Sequence, residues 1–172
     1  LTETRTTDAK GRVALPKEHD MSSIHVSVSR VIDAPAEVVY GILADYRVGH
    51  PAVLPKPYFK ELVVEEGGHG EGTVARVDME VMGAKRTMRL RVTEPEPGRV
   101  LREEDAATGV VTVFTVEPLA DGRSRVTFDT DMRVSDGIGG WLERRTTPFF
   151  MRRIYHGEQA LLADMARARG GQ

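Results

Sequence analysis

Between Phe59 and Val134 the chain repeats one unit, a strand-length run closed by a short turn-forming connection. The runs span 59–66, 72–82, 85–94, 99–105, 110–118 and 123–134. The connections read GGHGEG (67–72), MGAK (82–85), EPEPG (94–98), AATG (106–109) and ADG (120–122). Gly, Pro and Asp are the residues that tight turns demand. Links this short cannot carry a crossover, so consecutive strands are antiparallel neighbours and the segment is predicted to be a meander. One antiparallel layer leaves an apolar face that something must cover.

Two flanking segments supply the cover. Ile24, Val26 and Val28 alternate with His25, Ser27 and Ser29, the pattern of a half-buried strand. Asp33-Ala34-Pro35 ends that strand and opens a helix, with proline in the first turn. Val39, Ile42, Leu43 and Tyr46 form the helix's apolar stripe. A short helix or turn follows over about 47–54, closed by Pro55 and Pro57. Beyond the meander, 138–168 reads as helical. Pro148, behind Thr146 and Thr147, predicts a short helix (138–145), a break or kink, and a long helix from Pro148. Phe150, Ile154, Leu161 and Met165 share one side of it, with Met151, Tyr155 and Leu162 beside them. Only this helix is long enough to cover the sheet. The predicted fold is α+β: a seven-stranded curved antiparallel sheet, made of one strand, two short helices and six strands, gripping a long C-terminal helix. The space between sheet and helix is the expected pocket. Residues 21–169 form this domain, and 1–20 are expected to be a flexible extension.

Composition narrows the chemistry. The 172 residues suit one domain and a tail. The absence of cysteine removes thiolate nucleophiles, disulfides and zinc–thiolate or iron–sulfur sites. No apolar run approaches the ~18 residues of a spanning helix. The polar start LTETRTTDAK lacks the apolar core of a signal peptide. A cytoplasmic protein without stable membrane insertion is therefore expected. A net charge of −2 gives no electrostatic reason for nucleic acid as a partner. DAKGRVALPKE (8–18) resembles the opening of an AbrB-type DNA-binding hairpin, but the continuation does not supply the rest. The five histidines (19, 25, 50, 69, 156) show no i, i+2 or i, i+4 pairing, so a protein-built metal site is not expected; no cofactor is expected either. GGHGEG joins two strands and lacks the following helix of a phosphate cradle. The oligomeric state is left open.

The element order, the opening VSRVIDAPAEVVYGILADY (28–46) and the hairpin FTVEPLADGRSRVTF (114–128) resemble the SRPBCC or START-like superfamily. Within it, the group of polyketide cyclases, dehydrases and lipid-transport proteins is the nearest in pattern. The resemblance covers about 24–168 and implies a helix-grip fold with a deep apolar cavity. It implies binding of a hydrophobic small molecule: a lipid, a quinone or a polyketide-like aromatic. The alternative it implies is a cofactor-independent cyclase, aromatase or dehydratase. The iron site of the superfamily's ring hydroxylases is not expected, because its His pair and carboxylate are missing.

Hairpin arithmetic assigns the faces. A two-residue turn at Gly83-Ala84 pairs Val81 with Arg86, Met79 with Met88, Val77 with Leu90 and Ala75 with Val92. The opposite face carries Arg76, Asp78, Glu80, Arg89 and Arg91. The hairpin at Asp121 pairs Val116 with Val126, Phe114 with Phe128 and Thr112 with Thr130, and Met132 continues the inner face. Across EPEPG, Leu101 falls near Val92, Glu103 near Leu90 and Asp105 near Met88. Across AATG, Leu101 falls beside Phe114 and Glu103 beside Thr112.

An inner polar track of Arg86, Asp105, Glu103, Thr112 and Thr130 results. A carboxylate in an apolar cavity must pair, hold water or stay protonated. It serves either as a handle or acid–base group for a ligand, with Glu103 and Asp105 the catalytic candidates, or as structure. The structural forms are a bulge turning the acids outward and a buried ion pair with Arg86. The expected lining is Val77, Met79, Arg86, Met88, Leu90, Leu101, Thr112, Phe114, Phe128, Thr130 and Met132 from the sheet. The helix adds Trp141, Phe150, Met151, Ile154 and Tyr155. Trp141 serves the core or stacks on a ligand, and Tyr155 offers a hydroxyl. His50 lies near the expected mouth, as a loop cap or a ligand contact. His156 faces solvent.

Overall fold

The computed structural model describes residues 23–81, 83–134 and 137–170, with the backbone alone at 137–143. The expected N-terminal extension lies outside the described residues. β1 (Ser23–Ile32) is followed by α1 (Ala36–Ala44) and α2 (Gly49–Val53). Then come β2 (Phe59–Glu66), β3 (Val74–Val81), β4 (Ala84–Glu96), β5 (Val100–Asp105), β6 (Val110–Pro118) and β7 (Ser124–Arg133). The chain ends in α3 (Gly137–Gly170).

The seven strands form one antiparallel sheet in the order β1-β7-β6-β5-β4-β3-β2. This is the predicted meander, with the first strand closing onto the last. α3 lies against β1, α1 and α2. The fold is the helix grip. Ile24, Val26, Val28 and Ile32 of β1 are buried in one core with Val39, Ile42 and Leu43 of α1 and Leu162, Ala163 and Ala166 of α3.

Two registers differ from expectation by two residues. Val81 pairs with Ala84, Met79 with Arg86, Val77 with Met88 and Ala75 with Leu90. The turn thus falls one position earlier than Gly83-Ala84. Gly83 supplies the left-handed residue that a two-residue hairpin needs (φ 80°). Across the next hairpin, Asp105 pairs with Leu90 and Glu103 with Val92, and the strands shift register between Thr93 and Glu96. A slip of two keeps every side chain on its face, whereas a slip of one would have turned the sheet inside out. The pairs Val116–Val126, Phe114–Phe128, Thr112–Thr130, Leu101–Phe114 and Glu103–Thr112 stand as predicted.

Of the break or kink expected at Pro148, the break is absent, since α3 runs through it. A proline removes one backbone donor and can bend a helix without ending it. Thr146 and Thr147 before it and Phe150 and Met151 after it line the same pocket. Leu161, expected on the covered side, is 40% exposed. The buried stripe is instead Ile154, Tyr155, Glu158, Gln159, Leu162, Ala163 and Ala166. Two polar residues sit in its middle.

Candidate functional site

The corner between α1 and α2 places the site's first two side chains. The Asp45 carboxylate accepts the backbone N–H groups of Arg47, Val48 and Gly49, each at 3.1 Å. Burial works to raise its pKa, but these N–H bonds outweigh it and hold the carboxyl below its ordinary value. The glycine-rich loop then docks from outside. Tyr46 N–H donates to the Gly68 carbonyl at 3.1 Å, and Gly70 N–H to the Ala44 carbonyl at 2.9 Å. Gly70 has φ 54°, and a Cβ there would displace the Glu94 carboxylate, 2.5 Å away, so glycine is favoured. Glu94 in turn accepts the Tyr40 hydroxyl and, at 2.9 Å, the Glu71 N–H. The loop that fails as a phosphate cradle therefore acts as a brace for the Tyr46 corner.

From that corner Tyr46 and His50 reach the inner face of β5. Their rings stack at 4.5 Å and 14°. His50 Nδ1 lies 2.8 Å from the Leu43 carbonyl. A carbonyl only accepts, so Nδ1 carries a proton and Nε2 is the free end of the ring. Nε2 lies 3.5 Å from Glu103 Oε1, which also accepts the Tyr46 hydroxyl. Burial first, and then the Glu103 charge, push the Tyr46 hydroxyl well above its ordinary value, so it stays a donor. An aromatic chain continues from His50 edge-on to Phe114 (5.7 Å), Phe128 (4.7 Å) and Tyr155 (5.5 Å). The Tyr155 hydroxyl meets Thr130 Oγ1, which lies 2.9 Å from Thr112 Oγ1.

α3 adds Glu158, 2% exposed. Burial, and then the Glu103 charge, push its carboxyl well above the usual range. That favours the protonated form, which can donate a hydrogen bond to a bound molecule. Glu103, Glu158, His50, Thr112 and Tyr155 all line a pocket of about 560 Å³ between the sheet and α3. Its remaining walls are mostly apolar, from Leu54, Phe59, Leu62 and Val81 to the side chains expected from the strand faces. Among those, Val77, Met79, Met88, Leu90, Phe114 and Met132 of the sheet line it, as do Phe150, Met151 and Ile154 of α3.

Several expectations change. Leu101, Phe128 and Thr130 are fully buried but do not line the pocket. Asp105 is 2% exposed and also does not line it. Its carboxylate accepts the Thr108 hydroxyl at 2.7 Å and the Ala107 N–H at 3.4 Å, capping the β5–β6 turn. Neither structural form expected for the inner acids is present. β5 keeps its register with β6 throughout, and its one shift against β4 lies at Thr93–Glu96, away from the acids. Arg86 lines the pocket but is exposed, and no ion pair forms between it and any described residue. The Trp141 side chain lies outside the described residues. Tyr46 and Glu158 were absent from the expected site. Tyr46 reads as one more member of an apolar stripe. Glu158 carries a usable signal, since it falls four residues after Ile154 and three after Tyr155 on the covered face. Among the described residues, no group of His, Asp and Glu is placed to hold a metal ion. No helix among them is long and apolar enough to cross a membrane.

The arrangement can do two things. It can hydrogen-bond an oxygen of a mostly apolar molecule, and it can pass a proton among Glu103, His50 and that molecule. The family model for polyketide cyclase / dehydrase and lipid transport matches residues 23–167. No curated protein matches the chain. The solved structure of the KanY protein is 26% identical, covers 86% of this chain and 99% of its own, and superposes with a TM-score of 0.74. The ZhuI aromatase/cyclase from a Streptomyces species is 20% identical, with 86% and 95% covered and a TM-score of 0.69. A START superfamily protein from Mycobacterium smegmatis is 18% identical, with 86% and 97% covered and a TM-score of 0.58. At these last two identities the likeness is one of fold.

Proposed function

Because the chain belongs to the polyketide cyclase / dehydrase and lipid transport family, we propose that it binds a hydrophobic small molecule between the sheet and α3. The ligand classes that fit are a lipid, a quinone and a polyketide-like aromatic. One observation carries the reading: a pocket of about 560 Å³ with mostly apolar walls and one buried polar cluster, Glu103, His50, Glu158 and Tyr155. Small-molecule sites have this composition, with apolar area supplying affinity and a few placed polar groups supplying orientation.

The Glu103–His50 contact favours a second reading, acid–base catalysis of a cyclisation or dehydration. In it, Glu103 is the base or acid. His50 Nε2 exchanges the proton, and the Tyr46 and Tyr155 hydroxyls and protonated Glu158 stabilise developing charge. Asp105 is set aside here because its carboxylate is committed to a turn.

One experiment tests both readings. Protein purified under native conditions is denatured, and its organic extract is analysed by mass spectrometry. The recovered molecule is then titrated back into wild type and Glu103→Gln. Binding predicts a saturable molecule at near one per chain. Catalysis predicts that Glu103→Gln abolishes its conversion and leaves affinity within a few-fold. An empty extract, with no binding from a panel of lipids, quinones and aromatics, overturns the binding reading. Conversion that survives in Glu103→Gln overturns the catalytic one.

A further inference from the structure

The charges lining the pocket are sorted by depth. The two acids, Glu103 and Glu158, are 7% and 2% exposed and sit at the closed end with His50. The two arginines, Arg86 and Arg133, are exposed and sit at the rim. The sheet register puts these arginines on either side of the β5–β6 turn. Asp105, the last residue of β5, pairs with Leu90, four positions beyond Arg86 on β4. On the other side, a Cβ built on Gly109 of the turn would touch Arg133 Cδ at 3.7 Å.

Neither guanidinium has an acid partner among the described residues. Of the arginines on the sheet's opposite face, Arg91 also lacks an acid partner among the described residues, but four others have one. Arg76 pairs with Glu61 and Asp78, Arg89 with Glu65, Arg102 with Glu104 and Arg125 with Glu117. The chain therefore has carboxylates available, yet places none beside the two cations that edge its pocket. Two unpaired guanidiniums at the mouth of an apolar cavity are a recognition element for a planar or tetrahedral oxyanion.

We propose that Arg86 and Arg133 form an oxyanion-binding rim, and that the ligand is an apolar molecule ending in a carboxylate or phosphate at the mouth. Its far end carries a neutral oxygen that meets the buried cluster. The inference rests on the pocket reading above and adds the ligand's polarity to it.

Calorimetric titration with matched pairs tests it: dodecanoate against 1-dodecanol, and 6-hydroxy-2-naphthoate against 2-naphthol, with dodecyl phosphate as a further arm. The readout is the ratio of acid to alcohol affinity. The wild type should prefer an oxyanion of at least one pair by about tenfold. The double variant Arg86→Gln/Arg133→Gln should reduce that ratio to near one. Arg91→Gln, an exposed arginine outside the pocket, should keep it. Phosphate outranking carboxylate, or the reverse, identifies the head group, and either supports the rim. Equal binding of acid and alcohol by the wild type, or a preference that survives in the double variant, overturns the rim and leaves the pocket reading standing. Failure of every probe to bind the wild type overturns both.

Discussion

Glu158 has a very different environment in the folded protein and in the unfolded chain. Its carboxyl lies beside the pocket with Glu103, His50, Tyr46 and Tyr155 around it, and its pKa is raised well above the ordinary value by burial. An unfolded glutamate loses its proton near about pH 4.3. Folded Glu158 keeps its proton above that point, so the folded state binds more protons than the unfolded one. The stability this group contributes is complete below the unfolded value and is lost as pH rises through the folded one. Glu158→Gln removes the linkage. Unfolding free energies from urea titrations between about pH 5 and about pH 8 should decline less steeply in the variant, by at most about 1.4 kcal/mol per pH unit, the limit for one proton. Equal slopes in the two proteins would show that Glu158 ionises as freely as a surface acid. Composition and alternation place Glu103 on the inner face because β5 alternates cleanly. They do not find Glu158 or Tyr46, because a helix stripe is read by its apolar members and both hide among them.

At the scale of elements, the strand pattern holds faces firmly and registers loosely. Val77, Met79, Met88 and Leu90 reach the pocket although their partners across the hairpin differ from expectation by two positions. Parity is set by burial, which a shift of two does not disturb. Register is set by which residue takes the left-handed turn position, and Gly83 decides that locally. α3 shows the same limit. Leu161 and Leu162 are adjacent leucines, and helical periodicity admits both to a broad apolar face. The fold buries Leu162 completely and leaves Leu161 40% exposed. Leu162→Ala should therefore cost about 2–5 kcal/mol, the range for a buried leucine that leaves a cavity. Leu161→Ala should stay within about 0.5 kcal/mol, as surface changes do. Guanidinium denaturation of the two variants decides it. Comparable losses at both positions would mean that α3 is rotated about its axis relative to the packing described.

For the whole molecule, the open question is whether the pocket is space kept for a ligand or space the fold needs to be empty. Protein interiors are close-packed, and atoms bordering a void forgo dispersion contacts they would otherwise make. A cavity of about 560 Å³ therefore works against stability unless something fills it. Met151 tests this because it is half-buried on α3 and borders the pocket. In a filled core, a larger side chain costs about 1–3 kcal/mol through strain. Where the pocket keeps room for a ligand, the indole of Met151→Trp occupies that volume and gains contacts with its apolar walls. Its stability should stay within about 1 kcal/mol of wild type or rise. Its affinity for the best-binding acid of the matched pairs should fall by about tenfold or more, since indole and ligand compete for one volume. Thermal denaturation and calorimetry on the same sample read both quantities. A destabilised variant would show that the volume is not available to a side chain. An unchanged affinity would show that the ligand sits elsewhere. The combination of retained stability and lost binding is the result that only a reserved ligand cavity produces.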